Sequence, residues 1–372
     1  MSASCGCGCS GQARTQTVND VERKVAAPAG AVEQPATTPV AGGGQPGAAL
    51  GPAPRLTTAI GWRDVLGGWA VRWDIGRSRY RVMPGVYRIG EPEASSPVLV
   101  TANYKLTVDA VRRSLGGLDV WLLVLDTAGV NVWCAAGKGS FGTQELVRRI
   151  AETRLAERVG HRHLVLPQLA ATGVAAHEVK RATGFLVHYG PVLARDIPAY
   201  LAAGRQATAA MRRVPFGWWD RLVLTPVEIV HALKPLLGFL AAVSLLDLVR
   251  HGRLTPHVAA DFAPFAGAAL TGAVLVPLLL PWLPFRAFVL KGAVAGAAWA
   301  TLSLALWPAA WPEAIGTALL VVAIVAFMAM MFTGATTFTT FAGARLEVRR
   351  GGPVLLATAV MGAAARIAAA FL

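Results

Sequence analysis

Five apolar stretches fill the second half of the chain, at about 229–249, 262–283, 287–307, 314–336 and 353–372. Each has about 20 residues, enough at 1.5 Å per residue to cross a hydrocarbon layer roughly 30 Å thick. This predicts an all-α membrane domain of five transmembrane helices over 216–372. Lys234, Asp247, Lys291 and Arg366 fall inside the stretches, mostly within a turn or two of an end, where a long side chain can snorkel. Pro277 and Pro281 predict a kink in the second. Charged residues are only 15% of the 372, yet the formal charge is +14. The basic residues explain much of that excess. Arg205, Arg212, Arg213 and Arg221 precede the first span, Arg286 and Lys291 lie near the second connection, and Arg345, Arg349 and Arg350 lie in the fourth. The opposite side has Arg250 and Arg253. By the positive-inside rule, what precedes the first span is cytoplasmic and the C-terminus lies outside a cytoplasmic (inner) membrane. The same charge faces anionic lipid, and with no nucleic-acid module in view, nucleic acid is excluded as a partner. Trp218 and Trp219 read as an interfacial aromatic belt.

The first 55 residues have the opposite character. Gly and Pro supply 15 of them, and Trp, Phe and Tyr are absent. Such a segment cannot bury enough apolar surface to offset its ordering entropy, so 1–55 reads as a disordered tail. No apolar run of signal-peptide type follows the start. Three of the four cysteines, Cys5, Cys7 and Cys9, stand here at alternate positions, as soft donors suited to a thiophilic ion, Hg(II) or another, or as incidental residues of a flexible tail. So few cysteines exclude a disulfide-stapled scaffold.

Residues 56–215 alternate between two patterns. Short β-branched runs at 97–101, 119–126, 163–167 and 184–189 read as strands, with helical patterns at 107–115, 143–159 and 175–182 between them. That alternation predicts a Rossmann-like α/β domain whose parallel sheet is covered on its faces. In such sheets ligands bind beyond the carboxyl ends of the strands. One strand ends at Asp126 and is followed by Cys134, then small residues that allow a bulky flat ligand to approach the backbone. The segment is no phosphate loop: counting from Gly129, Cys134 falls where the second glycine is needed, and Gly139 follows Lys138. A dinucleotide Gly-x-Gly-x-x-Gly fingerprint is missing at this turn. A cysteine nucleophile needs a histidine, and no spacing selects one among His161, His163, His177 and His188. From the residues alone Cys134 is as readily a buried small hydrophobe.

Asn131-Val132-Trp133-Cys134-Ala135-Ala136-Gly137-Lys138 resembles, at all eight positions, the signature of the HgcA family, the corrinoid proteins of microbial mercury methylation. Gly142-Thr-Gln-Glu-Leu146, Thr172-Gly-Val-Ala-Ala-His177, Tyr189-Gly-Pro191, Asp196-Ile-Pro198 and the Thr-rich Phe332–Phe338 extend the resemblance over about 60–372. The soluble part is also similar to the corrinoid-binding domain of the corrinoid iron–sulfur protein. The resemblance implies a corrinoid, cobalamin or a relative, bound by the octapeptide. Cys134 would be the lower axial cobalt ligand. Asn131 and Trp133 would shape the pocket, Gly137 would allow close approach, and Lys138 would face a polar corrin side chain or backbone. A thiolate trans to a cobalt-bound methyl group pushes electron density toward the methyl, which suits an electrophilic acceptor such as Hg(II). The histidine-ligand motif Asp-x-His-x-x-Gly is absent, in keeping with a cysteine ligand. The implied activity is a mercury methyltransferase that forms methylmercury. Its implied partners are HgcB, a ferredoxin-like electron donor, and a methyltetrahydrofolate-linked methyl donor system. The nearest rival is a membrane-bound corrinoid methyl carrier for another acceptor in one-carbon metabolism. More remote is a metal transporter or sensor, since the spans hold no Cys or His cluster.

Overall fold

A computed structural model describes residues 51–336, 338–369 and 371. Cys5, Cys7 and Cys9 lie outside the described residues. The chain runs through α1 (Trp62–Arg72), β1 (Gly85–Ile89), β2 (Val98–Ala102), α2 (Lys105–Ser114), β3 (Val120–Leu125), α3 (Val132–Lys138), α4 (Thr143–Glu152), α5 (Leu155–Arg158), β4 (His163–Leu166), α6 (Ala176–Thr183), β5 (Leu186–Tyr189) and α7 (Ile197–Ala202). The helical half follows: α8 (Trp218–Leu222), α9 (Thr225–His251), α10 (His257–Leu270), α11 (Val276–Leu279), α12 (Phe288–Leu306), α13 (Trp311–Met331) and α14 (Phe341–Ala369).

The sheet order is β1-β3-β2-β4-β5. β3, β2, β4 and β5 are parallel, and the largely apolar, buried runs of β2, β3 and β4 are those of strands covered on both faces. β1 pairs antiparallel with β3 at the sheet edge, and the sequence reading lacks it. Its half-exposed Tyr87 and Arg88 break the apolar run by which the other strands are recognised. Val108 and Val111 of α2, with Leu115 just after it, pack on one face of the sheet, and Leu146, Ile150 and Val179 of α4 and α6 on the other. The helical pattern at 143–159 is broken at Arg154, whose φ of 50° ends α4 before α5.

The chain leaves β2 toward β3 on one side, then crosses back past β2 to β4 on the other. The carboxyl ends of β2 and β4 therefore form the switch point of an open α/β sheet.

Five helical segments among the described residues are long and apolar enough to cross a membrane: Trp218–His251, His257–Leu279, Phe288–Leu306, Trp311–Gly334 and Ala342–Ala369. The second contains a π turn at Thr271–Leu275 just before Pro277, where the missing proline N–H disturbs the ladder. Helix contacts rely on small residues. A Cβ on Gly292 would stand 2.6 Å from the Cα of Ala326, and one on Gly296 2.9 Å from the Cα of Val322, so α12 presses its Gly-x-x-x-Gly face against the α13 backbone.

Of the four charges expected inside the spans, Lys291, Arg366 and Asp247 are paired within the protein, while Lys234 is exposed. Lys291 is buried and its Nζ donates to the carbonyls of Leu280 (2.8 Å) and Leu283 (2.5 Å), which the end of α11 leaves open. Arg366 joins Asp261 of α10 (2.9 Å) to Glu313 of α13 (3.1 Å). Asp247 accepts from the Thr255 N–H and hydroxyl (2.6 and 2.8 Å), closing the turn after α9. Carbonyls and charges in hydrocarbon need such partners, because water is absent there.

At the amino-terminal end Asp64 of α1 is clasped by Lys105 (2.5 Å) and Arg112 (2.6 Å) of α2. The Lys105 hydrogen bond outweighs burial and, with Arg112, holds the Asp64 carboxyl down at about 2. The folded pKa lies below the ordinary value of 3.8, so the clasp stabilises fully above about pH 4 and is lost as pH falls toward 2. Asp64→Asn should therefore lower the melting temperature at pH 7 and flatten its fall between pH 4 and 2, measured by circular dichroism. Gly292→Leu should destabilise the detergent-solubilised protein by about 1–3 kcal/mol, the usual cost of overpacking, in a thermal or denaturant melt.

Candidate functional site

The turn after β3 is folded by one side chain. Asn103, buried just beyond β2, points its Oδ1 at the Thr127 N–H (3.2 Å) and the Gly129 N–H (2.9 Å). The Thr127 hydroxyl shares its single proton between that oxygen (2.8 Å) and the Val130 carbonyl (2.6 Å). Asn103 Nδ2 donates to Asp126 Oδ1 (3.1 Å), which also accepts from the Ala128 N–H (3.0 Å). The turn needs left-handed backbone at Ala128 (φ 54°) and Gly129 (φ 75°). Glycine takes this conformation freely and alanine does not, so the Asn103 bonds hold a mildly strained loop.

That loop delivers the chain into α3, which the sequence reading leaves as an unstructured stretch of small residues before α4. Asn131 is its N-cap, with Oδ1 accepting from the Cys134 N–H at 3.0 Å. The asparagine three residues ahead of the cysteine is the signal that identifies the helix start. Cys134 is thus locked one turn into a short helix and is 3% exposed. Ala135 and Ala136 face the core, while Gly137 and Lys138 lie exposed at the far end.

The other stretches quoted with the octapeptide hold this helix in place. Glu145 accepts from the Asp126 N–H (2.8 Å) and pairs with Arg148 and Arg149. Burial by itself would raise its carboxyl, but the Asp126 N–H and the two arginines prevail and leave it below the usual range. Thr143 donates its N–H to the Gly173 carbonyl (3.2 Å), and its hydroxyl accepts from the Ala175 N–H (2.9 Å). A Cβ on Gly173 would lie 2.3 Å from the Phe141 carbonyl and 2.9 Å from the Ala136 Cα, so only glycine lets this segment close against α3. The Tyr189 hydroxyl donates to the Val174 carbonyl (2.5 Å). His177 is exposed beside Glu178, and His188 pairs through Nε2 with His163 Nδ1 (3.0 Å), with burial and then Arg205 pushing both rings of that pair down.

An open cleft lies at the carboxyl ends of β2 and β4, the switch point itself. Its walls are mostly apolar, with Val100, Leu166, Leu169 and Leu193 among them. Asn131, Val132 and Trp133 of the octapeptide line it, while Cys134, the next residue of α3, is not among the lining residues. The structure does not place Ala135, Ala136, Gly137 or Lys138 on its wall. Two hydroxyls that sequence reasoning missed also line it, Thr101 and Thr107. Both Oγ1 atoms are buried with no hydrogen-bond partner among the described residues. A buried hydroxyl left unpaired costs about 1–3 kcal/mol, so the pair marks a place for a ligand with polar substituents. A flat apolar ring rimmed by amides, as a corrin is, fits such a wall.

The floor of the cleft belongs to the helical half. Phe216 lines it and is also part of the core formed by α10, α12 and α13. Phe338, in the Thr-rich stretch after α13, packs edge-on against Phe216 at 5.7 Å.

Comparison with known proteins falls on this domain. Residues 75–201 match the family of the CO dehydrogenase/acetyl-CoA synthase delta subunit. The acetyl-CoA decarbonylase/synthase complex subunit gamma of Methanopyrus kandleri is 39% identical over 127 residues, 34% of this chain and 27% of that protein. The subunit of the same name from Archaeoglobus fulgidus is 37% identical over 127 residues, with the same coverage. The chain thus spans about a quarter of the length of the curated relatives it matches. The matched segment contains β1–β5, α3 and most of the cleft wall. These similarities agree with a corrinoid-binding domain of the corrinoid iron–sulfur protein type and with a corrinoid as its cofactor.

Asn131→Ala removes the α3 cap and should lower stability by about 1 kcal/mol in a denaturant melt, while Asn131→Asp, which keeps an acceptor oxygen, should restore most of it.

Proposed function

We propose that this chain is a multi-pass membrane methyltransferase that uses a corrinoid to methylate Hg(II). On this reading residues 56–215 are the cytoplasmic corrinoid domain and 216–372 the membrane domain, with the C-terminus outside the inner membrane and 1–55 a tail. The observation that carries it is the complete octapeptide Asn131–Lys138, whose first three residues line the switch-point cleft and whose Cys134 follows them in the first turn of α3. When bound, a corrinoid supplies a cobalt-held methyl group. The chain's own residues fix where that group can sit. Thr101 and Thr107 offer hydroxyls to its polar rim, Trp133 and Leu169 give it apolar wall, and Asn131 holds the Cys134 backbone so that the sulfur approaches from α3. In this reading the Cys134 thiolate would hold the cobalt, and the apolar wall would keep bulk water from it.

Hg(II) is the substrate. HgcB supplies electrons, and a methyltetrahydrofolate-linked system supplies the methyl group. Cys5, Cys7 and Cys9 are proposed to collect Hg(II) ahead of transfer.

A second reading, a membrane-bound methyl carrier serving another acceptor, is favoured by the similarity to acetyl-CoA decarbonylase/synthase gamma subunits. The two separate in one assay. The full chain is expressed with HgcB and a corrinoid supply, and methylmercury is measured. Wild type should form methylmercury and Cys134→Ala should fall to background with an unchanged melting temperature. The absorption spectrum of the bound corrinoid should lose its sulfur-ligated form in the variant. Corrinoid binding without methylmercury would favour the carrier, and full activity of Cys134→Ala would rule out the sulfur ligand.

A further inference from the structure

We propose that α1 is an interfacial helix, lying in the headgroup layer of an anionic leaflet with its tryptophan face among the lipid chains. Trp62, Leu66, Trp69 and Trp73 follow one another at intervals of four, three and four residues, which puts them on one face of the helix. That face is turned away from the protein, with exposures of 68%, 58%, 49% and 42%. Ile75, just beyond, is 66% exposed. A soluble domain rarely presents so many large apolar side chains in one strip.

The opposite face fixes the orientation. Gly68 and Val71 are buried against the α/β domain, and Asp64 is clasped by Lys105 and Arg112 of α2. The helix therefore cannot roll to hide its tryptophans. Four arginines, Arg63, Arg72, Arg77 and Arg79, stand between residues 62 and 79 against two aspartates, and the Asp64 charge is already balanced. Arg63 and Arg72 lie over the rings of Trp62 and Trp69 (5.2 and 5.9 Å). Tryptophans edged by arginine suit the boundary between acyl chains and acidic headgroups.

Position selects lipid over another protein as the occupant. The Asp74 carboxylate is 3.7 Å from Nε2 of His231, two turns into α9, and Arg77 acts electrostatically on Glu228 beside it. The C-terminal end of α1 thus meets the first membrane-crossing segment near its start. Trp218 and Trp219, 60% and 43% exposed, mark the same end. The inference does not depend on the corrinoid or mercury reading.

The test uses the full chain in vesicles of phosphatidylethanolamine and phosphatidylglycerol. Cys5, Cys7 and Cys9 are replaced by Ser and a bimane label is placed at Leu66→Cys; Cys134 is buried and escapes labelling. Brominated lipid should quench at least half of the label's emission, and aqueous iodide should quench little. Adding Trp62→Glu and Trp69→Glu should reverse the two, with the circular dichroism melt unchanged. Strong iodide quenching without bromolipid quenching in the parent protein would overturn the proposal. So would protection from both, which would mean that protein covers the face.

Discussion

The buried amide of Asn103 is the interaction on which the candidate site depends. Its single oxygen receives two backbone N–H groups of the turn after β3, and its nitrogen reaches Asp126 at the strand end. Without it, Ala128 and Gly129 have no reason to take left-handed backbone, and α3 has no fixed starting point. A neutral amide suits the task because it can donate and accept at once, whereas a carboxylate could only accept. The cost of straining the loop is met locally by bonds that water could not supply at a buried position.

From that turn outward each layer constrains the next. Asn131 orients the first turn of α3 by taking the Cys134 N–H. Glu145 takes the Asp126 N–H and holds α4 against the same loop. Gly173 lets the segment after β4 close over Ala136. These three contacts come from different parts of the chain and converge on one helix of seven residues. Such a helix has almost no stability of its own, so its position is set by what surrounds it. That is the arrangement expected where a side chain must be held rigidly relative to a ligand.

Much of this was legible in the sequence, and the rest was hidden for identifiable reasons. The parallel strands announced themselves as apolar runs and the membrane segments by length. β1 did not, because an edge strand half open to water carries Tyr87 and Arg88 where a central strand carries valine. The octapeptide was legible as a motif, but its division of labour was not. Asn131, Val132 and Trp133 reach the cleft while Ala135 and Ala136 turn inward, which follows from the helical period once α3 is known and not before. Thr101 and Thr107 were invisible because nothing in an isolated threonine says that its hydroxyl will be buried unpaired. The charges in the spans were located correctly but read as snorkelling. Lys291 instead answers carbonyls released 8 and 11 residues earlier, a pairing that only the broken end of the second span creates.

The two halves of the chain meet at Phe216, and that contact bears on why a corrinoid-type domain should be fused to membrane helices at all. Phe216 belongs to the core of α10, α12 and α13 and also lines the cleft. Phe216 thus couples the cleft lining to the packing of those helices. Phe338 extends the coupling to the Thr-rich stretch after α13. The family match covers residues 75–201, so Phe216 lies outside it. The helical half adds to the switch-point cleft an aromatic side chain, Phe216, that residues 75–201 do not contain.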